Sequence, residues 1–390
     1  MRFSLKISLV ADLLKYRLKY ARGNTGASAR ISREKILLVR LDRIGDFALY
    51  APFAAALRER FPAERYEITL LGRSLWMPLA KEMLPFDHWL ELEPGTFMQD
   101  VSYRHSILQE LSASRFNRLL QPRFYRELSV EDLIALAVAA PVSAAFSTSK
   151  IHLQSKVLCR FDSIYTDKVD SSSLETEHEL NRNRAFLKQL GMGTTEIINN
   201  PWQQKPGIVS SAPAISKPYA VILPGSGKVK KCIWPPERFA RLAALAFSSG
   251  LQVALTGTPD ETELAREIVT HAGVPVHDFT GRQTIGEFAG LLQNARLVIG
   301  NDTGGIHIAA MSGIPSLVIT GQGQPGTFLP YPEQLEVSGV HPPRVLTAAR
   351  MSCAGCGWQC TRPTAEQFLC LKNISVETAC RSMQELLTVL

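Results

Sequence analysis

The sequence predicts an α/β protein of two domains, each built on a doubly wound parallel sheet. Three observations favour this class. In both halves of the chain, apolar runs of strand length alternate with amphipathic helical segments. Residues 199–218 are rich in Pro and Ser and lack hydrophobic periodicity, so they are the best candidate for a linker. A length of 390 residues, with 45% hydrophobic and 20% charged residues, is sufficient for two globular domains.

The N-terminal half begins with a strand–turn–helix unit over residues 35–62. Its buried strand is followed by a turn with Gly45 and Asp46 and by an amphipathic helix that ends before Pro62. Two further strand candidates, with a short helix between them, are residues 66–73 and 87–93. From about 100 to 190 we expect helical insertions and a polar, Ser-rich loop, and then a helix that begins near His178.

The C-terminal half alternates regularly from residue 219 to residue 320. Four or five strand–helix units follow one another, which predicts a parallel sheet covered on both faces. The two halves together predict two Rossmann-like domains that face each other across a cleft. We expect substrates to bind in that cleft.

A polar turn interrupts the apolar stretch of residues 296–320. Asn301, Asp302 and Thr303 follow a strand and precede two glycines and a helix of small residues. The carboxyl ends of parallel strands bind ligands in open α/β sheets, and free amides at a helix start favour anions. Asp-Thr-Gly also marks aspartic proteases, but these need two such loops in an all-β setting. The single copy here leads into a helix and predicts a binding site.

A second glycine-containing turn spans residues 223–239. Gly225, Ser226 and Gly227 follow a strand, and Lys228, Lys230 and Lys231 come before the next helix. Backbone amides and lysines of this kind bind a phosphate or diphosphate, whereas a basic surface turn is the alternative interpretation. The turn matches neither a Walker loop nor a dinucleotide fingerprint. Residues 321–326, GQGQPG, match G-x-G-x-x-G but do not open a helix.

The charge and the N-terminus indicate anionic partners. A net charge of +7 favours phosphates or acidic lipid as binding partners. We expect no binding to nucleic acid, because the sequence has no basic motif interleaved with aromatic residues. No apolar run approaches the roughly 20 residues of a membrane span. Residues 1–34 form a basic amphipathic extension without a cleavage site, typical of an interfacial helix. The alternative is a surface helix packed on the protein.

Five of the seven cysteines cluster near the C-terminus. An odd number of cysteines in a chain without an export signal favours a reducing compartment. Four of them form C-x2-C-x3-C-x9-C, at positions 353, 356, 360 and 370. Four close thiols suit tetrahedral zinc, while reduced thiols or a redox-sensitive pair are the alternatives. We assign no metal to the functional site.

Four stretches, in order, resemble glycosyltransferase family 9, the ADP-heptose:lipopolysaccharide heptosyltransferases. They are VRLDRIGDFALYAPFAAALRERFP, PGSG followed by K-x-x-WPPERFARLA, TGTPDE, and TIGEFAGLLQNARLVIGNDTGGIHIAAMSGIP. The resemblance covers most of residues 35–340 and implies a GT-B fold of two Rossmann-like domains. The expected division is a basic extension (1–34), an acceptor domain (35–205), a nucleotide-sugar donor domain (206–345), and a Cys-rich segment with a C-terminal helix (346–390).

The resemblance also implies inverting transfer of a sugar from a nucleotide diphosphate sugar. A carboxylate must take the proton of the acceptor hydroxyl, and Asp46 occupies the family's Gly-Asp position. From the residues alone, an N-cap of the following helix is the favoured interpretation of Asp46, and only the resemblance favours the base. Arg40 and Gly45 are expected to bind the acceptor or phosphates, and Asp42 is a second candidate carboxylate.

On the donor side, the resemblance implies that amides and basic side chains stabilise the diphosphate, so that no catalytic cofactor is required. The family's usual lysine position holds Cys232 here, so Lys231 is the first candidate and Lys230 the second. The alternative for Glu261 is a charged residue on the surface of a helix that binds no ligand. The alternative for His307 is a helix histidine whose hydrogen bonds are all made within the protein. The expected donor-binding residues are Ser226, Lys230, Lys231, Glu261, Gln283, Thr284, Asp302, Thr303, Gly304 and His307.

The expected activity is therefore transfer of heptose from ADP-heptose onto a lipopolysaccharide core or a related cell-surface glycan. The implied partners are the nucleotide sugar and a lipid-linked acceptor, with the enzyme in the cytoplasm and peripheral on the inner face of the inner membrane. One alternative is another donor with an O-antigen, capsule or protein acceptor. The other is a non-catalytic nucleotide-sugar-binding protein. An NAD-dependent oxidoreductase is disfavoured because a convincing fingerprint is lacking.

Overall fold

The computed structural model describes residues 3–21, 33–150, 155–193, 198–204, 215–227, 232–360 and 368–389. The chain divides into two compact units. Unit 1 contains Met1–Arg43 and Phe53–Glu196, and unit 2 contains Ile44–Pro52 and Ile197–Leu390. The segment that carries Asp46 therefore belongs to the same unit as the C-terminal half of the chain.

Unit 1 is built on a six-stranded sheet with the order β3-β2-β1-β4-β5-β6, in which all pairs are parallel. The central strand that begins at Glu34 is buried over Ile36–Arg40, so both of its faces are covered, as in other parallel sheets. Its strands are β1 (Glu34–Arg40), β2 (Tyr66–Gly72), β3 (His88–Glu91), β4 (Arg118–Gln121), β5 (Val142–Phe146) and β6 (Asp167–Val169).

The helices of unit 1 surround this sheet. Asp100 caps one of them by accepting a hydrogen bond from the backbone of Tyr103. The α-helices are α1 (Phe3–Ala21), α2 (Ile44–Arg60, whose first nine residues lie in unit 2), α3 (Met77–Met83), α4 (Pro94–Gln99), α5 (Val101–Ala113), α6 (Leu133–Val138), α7 (Ser155–Leu158) and α8 (Glu179–Gln189). A π-helical turn at Leu128–Asp132 precedes α6, and a 3-10 helix at Cys159–Ile164 follows α7.

The prediction for residues 100–190 was wrong in one respect, because this region contributes β4, β5 and β6 to the sheet. These strands are four, five and three residues long. The last three residues of β4 and the last four of β5 are consecutively buried, so they lack the alternation that identifies a half-buried strand. Two residues of β6, at the edge of the sheet, are exposed and polar. Short strands of this kind are indistinguishable from helix ends or loops by periodicity.

Unit 2 has a second six-stranded parallel sheet, with the order β12-β11-β10-β7-β8-β9. Its central strands β10 and β7 are buried at every residue. The predicted alternation of strands and helices in this half is confirmed. The strands are β7 (Tyr219–Leu223), β8 (Gln252–Leu255), β9 (His277–Asp278), β10 (Leu297–Asn301), β11 (Ser316–Ile319) and β12 (Arg344–Leu346).

The C-terminal helix is part of the core of unit 2. Met383 and Leu386 are buried in the same apolar cluster as Leu242, and Trp234 Nε1 donates to the Ile374 carbonyl at 3.0 Å. The α-helices of this unit are α9 (Pro236–Ser248), α10 (Thr262–Ala272), α11 (Ile285–Gln293), α12 (Gly304–Met311), α13 (Leu369–Lys372) and α14 (Val376–Thr388), with 3-10 turns at Pro201–Gln204 and Pro259–Glu261.

A buried ion pair holds the N-terminal helix α1 against the rest of unit 1. Asp12 accepts from Arg104 Nε at 2.8 Å, and Arg104 also donates to Ser8 Oγ. Leu9 and Tyr16 join the apolar core of this unit. None of the described helices is long and apolar enough to span a bilayer.

Candidate functional site

The polar turn after β10 is fixed to the glycine-containing turn after β7. Asn301, the last residue of β10, donates from Nδ2 to the Pro224 carbonyl at 2.5 Å. Its Oδ1 accepts from the backbone N–H of Trp234 at 3.3 Å. One buried amide therefore holds together both loops that the sequence nominates as ligand sites.

The start of α12 packs directly against the start of α2. A Cβ added to Gly304 would lie 2.5 Å from Ile44 Cγ2 and 2.9 Å from the Gly45 backbone nitrogen. A Cβ on Gly45 would lie 3.1 Å from His307 Cδ2. The two glycines permit this close approach, which brings the Gly-Asp turn against the Asp-Thr-Gly turn within unit 2.

Asp46 is the third residue of α2 and is partly exposed. The helix begins at Ile44, so the alternative that Asp46 is its N-cap is wrong. A carboxylate in the first helical turn still interacts favourably with the helix dipole.

Asp302 and His307 lie together, as the sequence predicts, and Tyr331 joins them. His307 Nε2 is 3.8 Å from Asp302 Oδ1, and His307 Nδ1 is 2.9 Å from the Tyr331 hydroxyl. Burial raises the pKa of Asp302 to about 6, and a hydrogen bond from Thr320 opposes that rise. The Asp302 side chain as a whole is 30% exposed. Thr303 precedes α12 in an extended conformation.

Glu261 lies against the turn after β7. A Cβ on Gly225 would be only 1.8 Å from Glu261 Oε1, and a Cβ on Gly257 would be 2.5 Å from Glu261 Oε2. The backbone N–H of Thr258 donates to Glu261 Oε2 at 2.7 Å. Both glycines leave room for this carboxylate, which also forms a capping box with Thr258 at the start of the following helix. Ser226 follows Gly225 and is partly exposed.

Lys230 and Lys231 lie outside the described residues, so the choice between them stays a prediction. Cys232 holds the position at which the resemblance to family 9 implies a lysine. Burial raises the pKa of the Cys232 thiol to about 12, with smaller contributions from Cys370 and Asp302. A neutral thiol at this position supplies no charge for a diphosphate.

Gln283 and Thr284 precede α11 and have different environments. Thr256 donates to Gln283 Oε1 at 2.5 Å, while Gln283 Nε2 is buried and has no acceptor among the described residues. Thr284 forms a capping box with Glu287, in which each side chain accepts from the other residue's backbone N–H. The free donor of Gln283 is therefore available to a ligand, whereas the Thr284 hydroxyl caps a helix.

Arg40 belongs to unit 1 and is fully buried. It pairs with Asp42 at 2.9 Å and with Glu179 at 3.3 Å, and it donates to the Pro122 carbonyl. A buried charge network of this kind is costly to break. Within unit 1, Arg40 is thus paired with both Asp42 and Glu179.

The C-terminal cysteines line a cavity of about 10 Å³, which has room for about one water molecule. It is bounded by Cys353, Cys356, Cys360 and Cys370, together with Trp358 and Phe368 among others. In the described part of the chain, no three His, Cys, Asp or Glu side chains are arranged to hold a metal ion. The described cysteines are free thiols.

The GQGQPG stretch has a structural function at this cavity. A Cβ on Gly323 would lie 2.3 Å from the Trp358 ring, and Gln322 donates to the Ala348 carbonyl at 2.6 Å. The glycines therefore allow the Cys-rich loop to pack closely on the strand end.

Thr256, Thr320 and Tyr331 were not predicted as site residues. Thr256 and Thr320 directly follow β8 and β11, so the rule that ligand sites lie at the carboxyl ends of parallel strands could have found them. Tyr331 lies in an irregular segment, and no sequence signal indicates that its hydroxyl reaches His307.

Known proteins share both the sequence pattern and the fold. Lipopolysaccharide heptosyltransferase 3 of Escherichia coli is 32% identical over 110 residues, which are 27% of this chain and 32% of that protein. The aligned stretch thus spans about a third of that curated relative's length.

Two solved structures cover most of the chain. Glycosyl transferase family 9 from Veillonella parvula has a TM-score of 0.67 at 20% identity, covering 93% of this chain and 99% of its own. The E. coli heptosyltransferase WaaC, solved with ADP-2-deoxy-2-fluoro heptose, has a TM-score of 0.66 at 16% identity, covering 90% and 99%. These likenesses show a shared GT-B fold. The family model described as glycosyltransferase family 9 (heptosyltransferase) matches residues 129–354, more than half of the sequence, and the chain belongs to that family.

Proposed function

We propose that the protein is an inverting glycosyltransferase that moves heptose from ADP-heptose onto a lipopolysaccharide core or a related cell-surface glycan. The observation that carries this proposal is the contact of the Gly45–Asp46 turn with Gly304 and His307. It sets a partly exposed carboxylate beside a turn suited to a sugar diphosphate. Membership of family 9 supports the same reaction class.

The loops of unit 2 offer complementary groups to a nucleotide sugar. In the proposed complex, the buried Nε2 donor of Gln283 bonds to the base, and the Glu261 carboxylate accepts from the ribose hydroxyls. The amides at the start of α12 and after β7 bind the diphosphate, with Ser226 and Lys231 or Lys230. Thr303 and Gly304 line the same turn.

The chemical step is a single displacement. Asp46 takes the proton of the acceptor hydroxyl as its oxygen attacks the anomeric carbon. The bond from that carbon to the diphosphate oxygen breaks, its electron pair leaves with ADP, and the configuration inverts. Donors aimed at the leaving diphosphate stabilise the charge that develops on it.

A nucleotide screen tests the donor half of the proposal. We expect ADP to raise the melting temperature of the protein more than UDP or GDP at equal concentration, because binding to the native state stabilises it by mass action. Preference for UDP or GDP would contradict ADP-heptose and favour another nucleotide sugar. ADP binding without any sugar transfer to a lipopolysaccharide core would favour a non-catalytic binding protein.

We also propose that α1 holds the enzyme peripherally on the inner face of the inner membrane, near a lipid-linked acceptor. Val10, Leu14 and Leu18 recur one turn apart and are 54%, 58% and 60% exposed. Asp12, the one acid in residues 1–33, is buried against Arg104. The basic residues of this extension are Arg2, Lys6, Lys15, Arg17, Lys19, Arg22, Arg30 and Arg33. An apolar stripe within a basic segment favours an anionic bilayer surface.

Vesicle sedimentation tests this membrane contact. We expect the wild type to bind phosphatidylglycerol-containing vesicles more tightly than phosphatidylcholine vesicles, and V10S/L14S/L18S to lower that affinity at least about tenfold, because three apolar contacts are lost. The matched control L75S/V157S/V269S removes three other exposed apolar side chains. Equal losses in the two triple variants would rule out a specific role for α1.

A further inference from the structure

The two ring nitrogens of His307 have different neighbours. Nδ1 is 2.9 Å from the Tyr331 hydroxyl, and Nε2 is 3.8 Å from Asp302 Oδ1. The His307 side chain is 4% exposed, and its ring centroid lies 5.9 Å from that of Tyr331, with the two rings within 10° of parallel. His307 also contacts Phe328, with ring centroids 6.1 Å apart. The imidazole is therefore confined, and its hydrogen bonds decide which nitrogen carries the proton.

The direction of the Tyr331 hydrogen bond follows from the chemistry of its two partners. Burial, with a smaller contribution from Asp302, raises the pKa of Tyr331 well above its ordinary value, so the phenol stays protonated. A phenol O–H donates well to the lone pair of a neutral imidazole nitrogen. A proton on Nε2 then points toward the carboxylate of Asp302, whereas a proton on Nδ1 would set two lone pairs, Nε2 and Oδ1, toward each other.

We propose that Tyr331 is a positioning residue that holds neutral His307 in the tautomer with its proton on Nε2. The ring then presents an N–H donor at the Asp302 turn, where it can bond to a phosphate or sugar oxygen of the donor. The link to the donor rests on the function proposed above, while the tautomer does not. A further consequence is that Tyr331, in the irregular segment after β11, controls which hydrogen bonds His307 on α12 can make.

Nitrogen-15 spectra of the full-length protein, with and without ADP, test the assignment directly. We expect a neutral His307 with a pyrrole-type signal at Nε2 and an acceptor-type signal at Nδ1, identified by its absence in H307Q. In Y331F we expect this preference to weaken or disappear. The matched control is Y219F, which removes another buried hydroxyl of unit 2, bonded at 2.8 Å to the Leu291 carbonyl.

Donor binding is measured on the same variants. We expect Y331F to weaken ADP-sugar binding about three- to tenfold, the effect of losing one oriented hydrogen bond, and Y219F to leave it unchanged. A wild-type spectrum with the proton on Nδ1 would overturn the inference even if Y331F did not fold. An unchanged tautomer in folded Y331F would do the same. A disturbed tautomer with unchanged ADP-sugar affinity would support the role of Tyr331 and contradict the place of His307 at the donor.

Discussion

Asp46→Asn is expected to lower kcat for sugar transfer by about 10²- to 10⁴-fold, the usual contribution of a general base. The amide has nearly the shape of the carboxylate but cannot take the acceptor proton. Because Asp46 is partly exposed in the first turn of α2, we expect the substitution to leave the fold intact. The measurement compares steady-state transfer with the shift in melting temperature that ADP produces.

Two controls show whether the loss of activity comes from the base itself. ADP should stabilise Asp46→Asn as much as the wild type, since the nucleotide-binding loops are unchanged. The control Glu267→Gln removes an exposed carboxylate from α10 and should transfer sugar at the wild-type rate. Turnover of Asp46→Asn within about twofold of the wild type would remove Asp46 from the mechanism, because a general base contributes far more than that.

Gly304→Ala is expected to lower kcat by about 10²-fold, because misplacing a reacting group by about 1 Å has effects of this size. The new methyl group would lie 2.5 Å from Ile44 Cγ2 and 2.9 Å from the Gly45 nitrogen, so the two turns must move apart. Overpacking of this kind also destabilises by about 1–3 kcal/mol. Kinetics and thermal unfolding of the same preparation separate these effects.

A second-site variant sharpens the test of Gly304. Ile44→Ala removes the closest atom, so Ile44→Ala/Gly304→Ala should recover part of the lost activity, while the contact with the Gly45 backbone keeps recovery incomplete. The control Gly95→Ala adds a methyl group where no atom lies within 4 Å and should be active. If Gly304→Ala transfers sugar normally, close contact of the two turns is not needed for function.

The sequence predicted unit 2 better than unit 1 for a physical reason. In unit 2 the helices α9 and α10, of 13 and 11 residues, are amphipathic and separate the strands clearly. In unit 1, β4 to β6 are as short as the strands of unit 2, but the segments between them are a π-helical turn, a 3-10 helix and helices of four and six residues. These segments are too short and irregular to show a helical period, so they do not mark where the strands begin and end. Their assignment requires the pairing of β4 with β1, which joins residues some 80 positions apart, such as Leu38 and Leu120.

In the candidate site, too, residues in local motifs could be predicted, whereas contacts between distant parts of the chain could not. Asp302, His307 and Glu261 could be nominated because each lies in a local motif with a fixed place at a strand end or helix start. Tyr331 could not, because its contact with His307 depends on the path of an irregular segment. The burial of Arg40 could not be foreseen either, since its partner Glu179 is 139 residues away in the sequence.

The most direct test of the proposed reaction is the stereochemistry of the product. Wild-type protein is incubated with ADP-heptose and a heptose-deficient lipopolysaccharide core, ADP release is quantified, and the new glycosidic bond is examined by NMR. We predict one ADP released for each heptose transferred, and an anomeric configuration opposite to that of the donor. A retained configuration, or ADP release without a new glycosidic bond, would contradict inverting transfer by this protein.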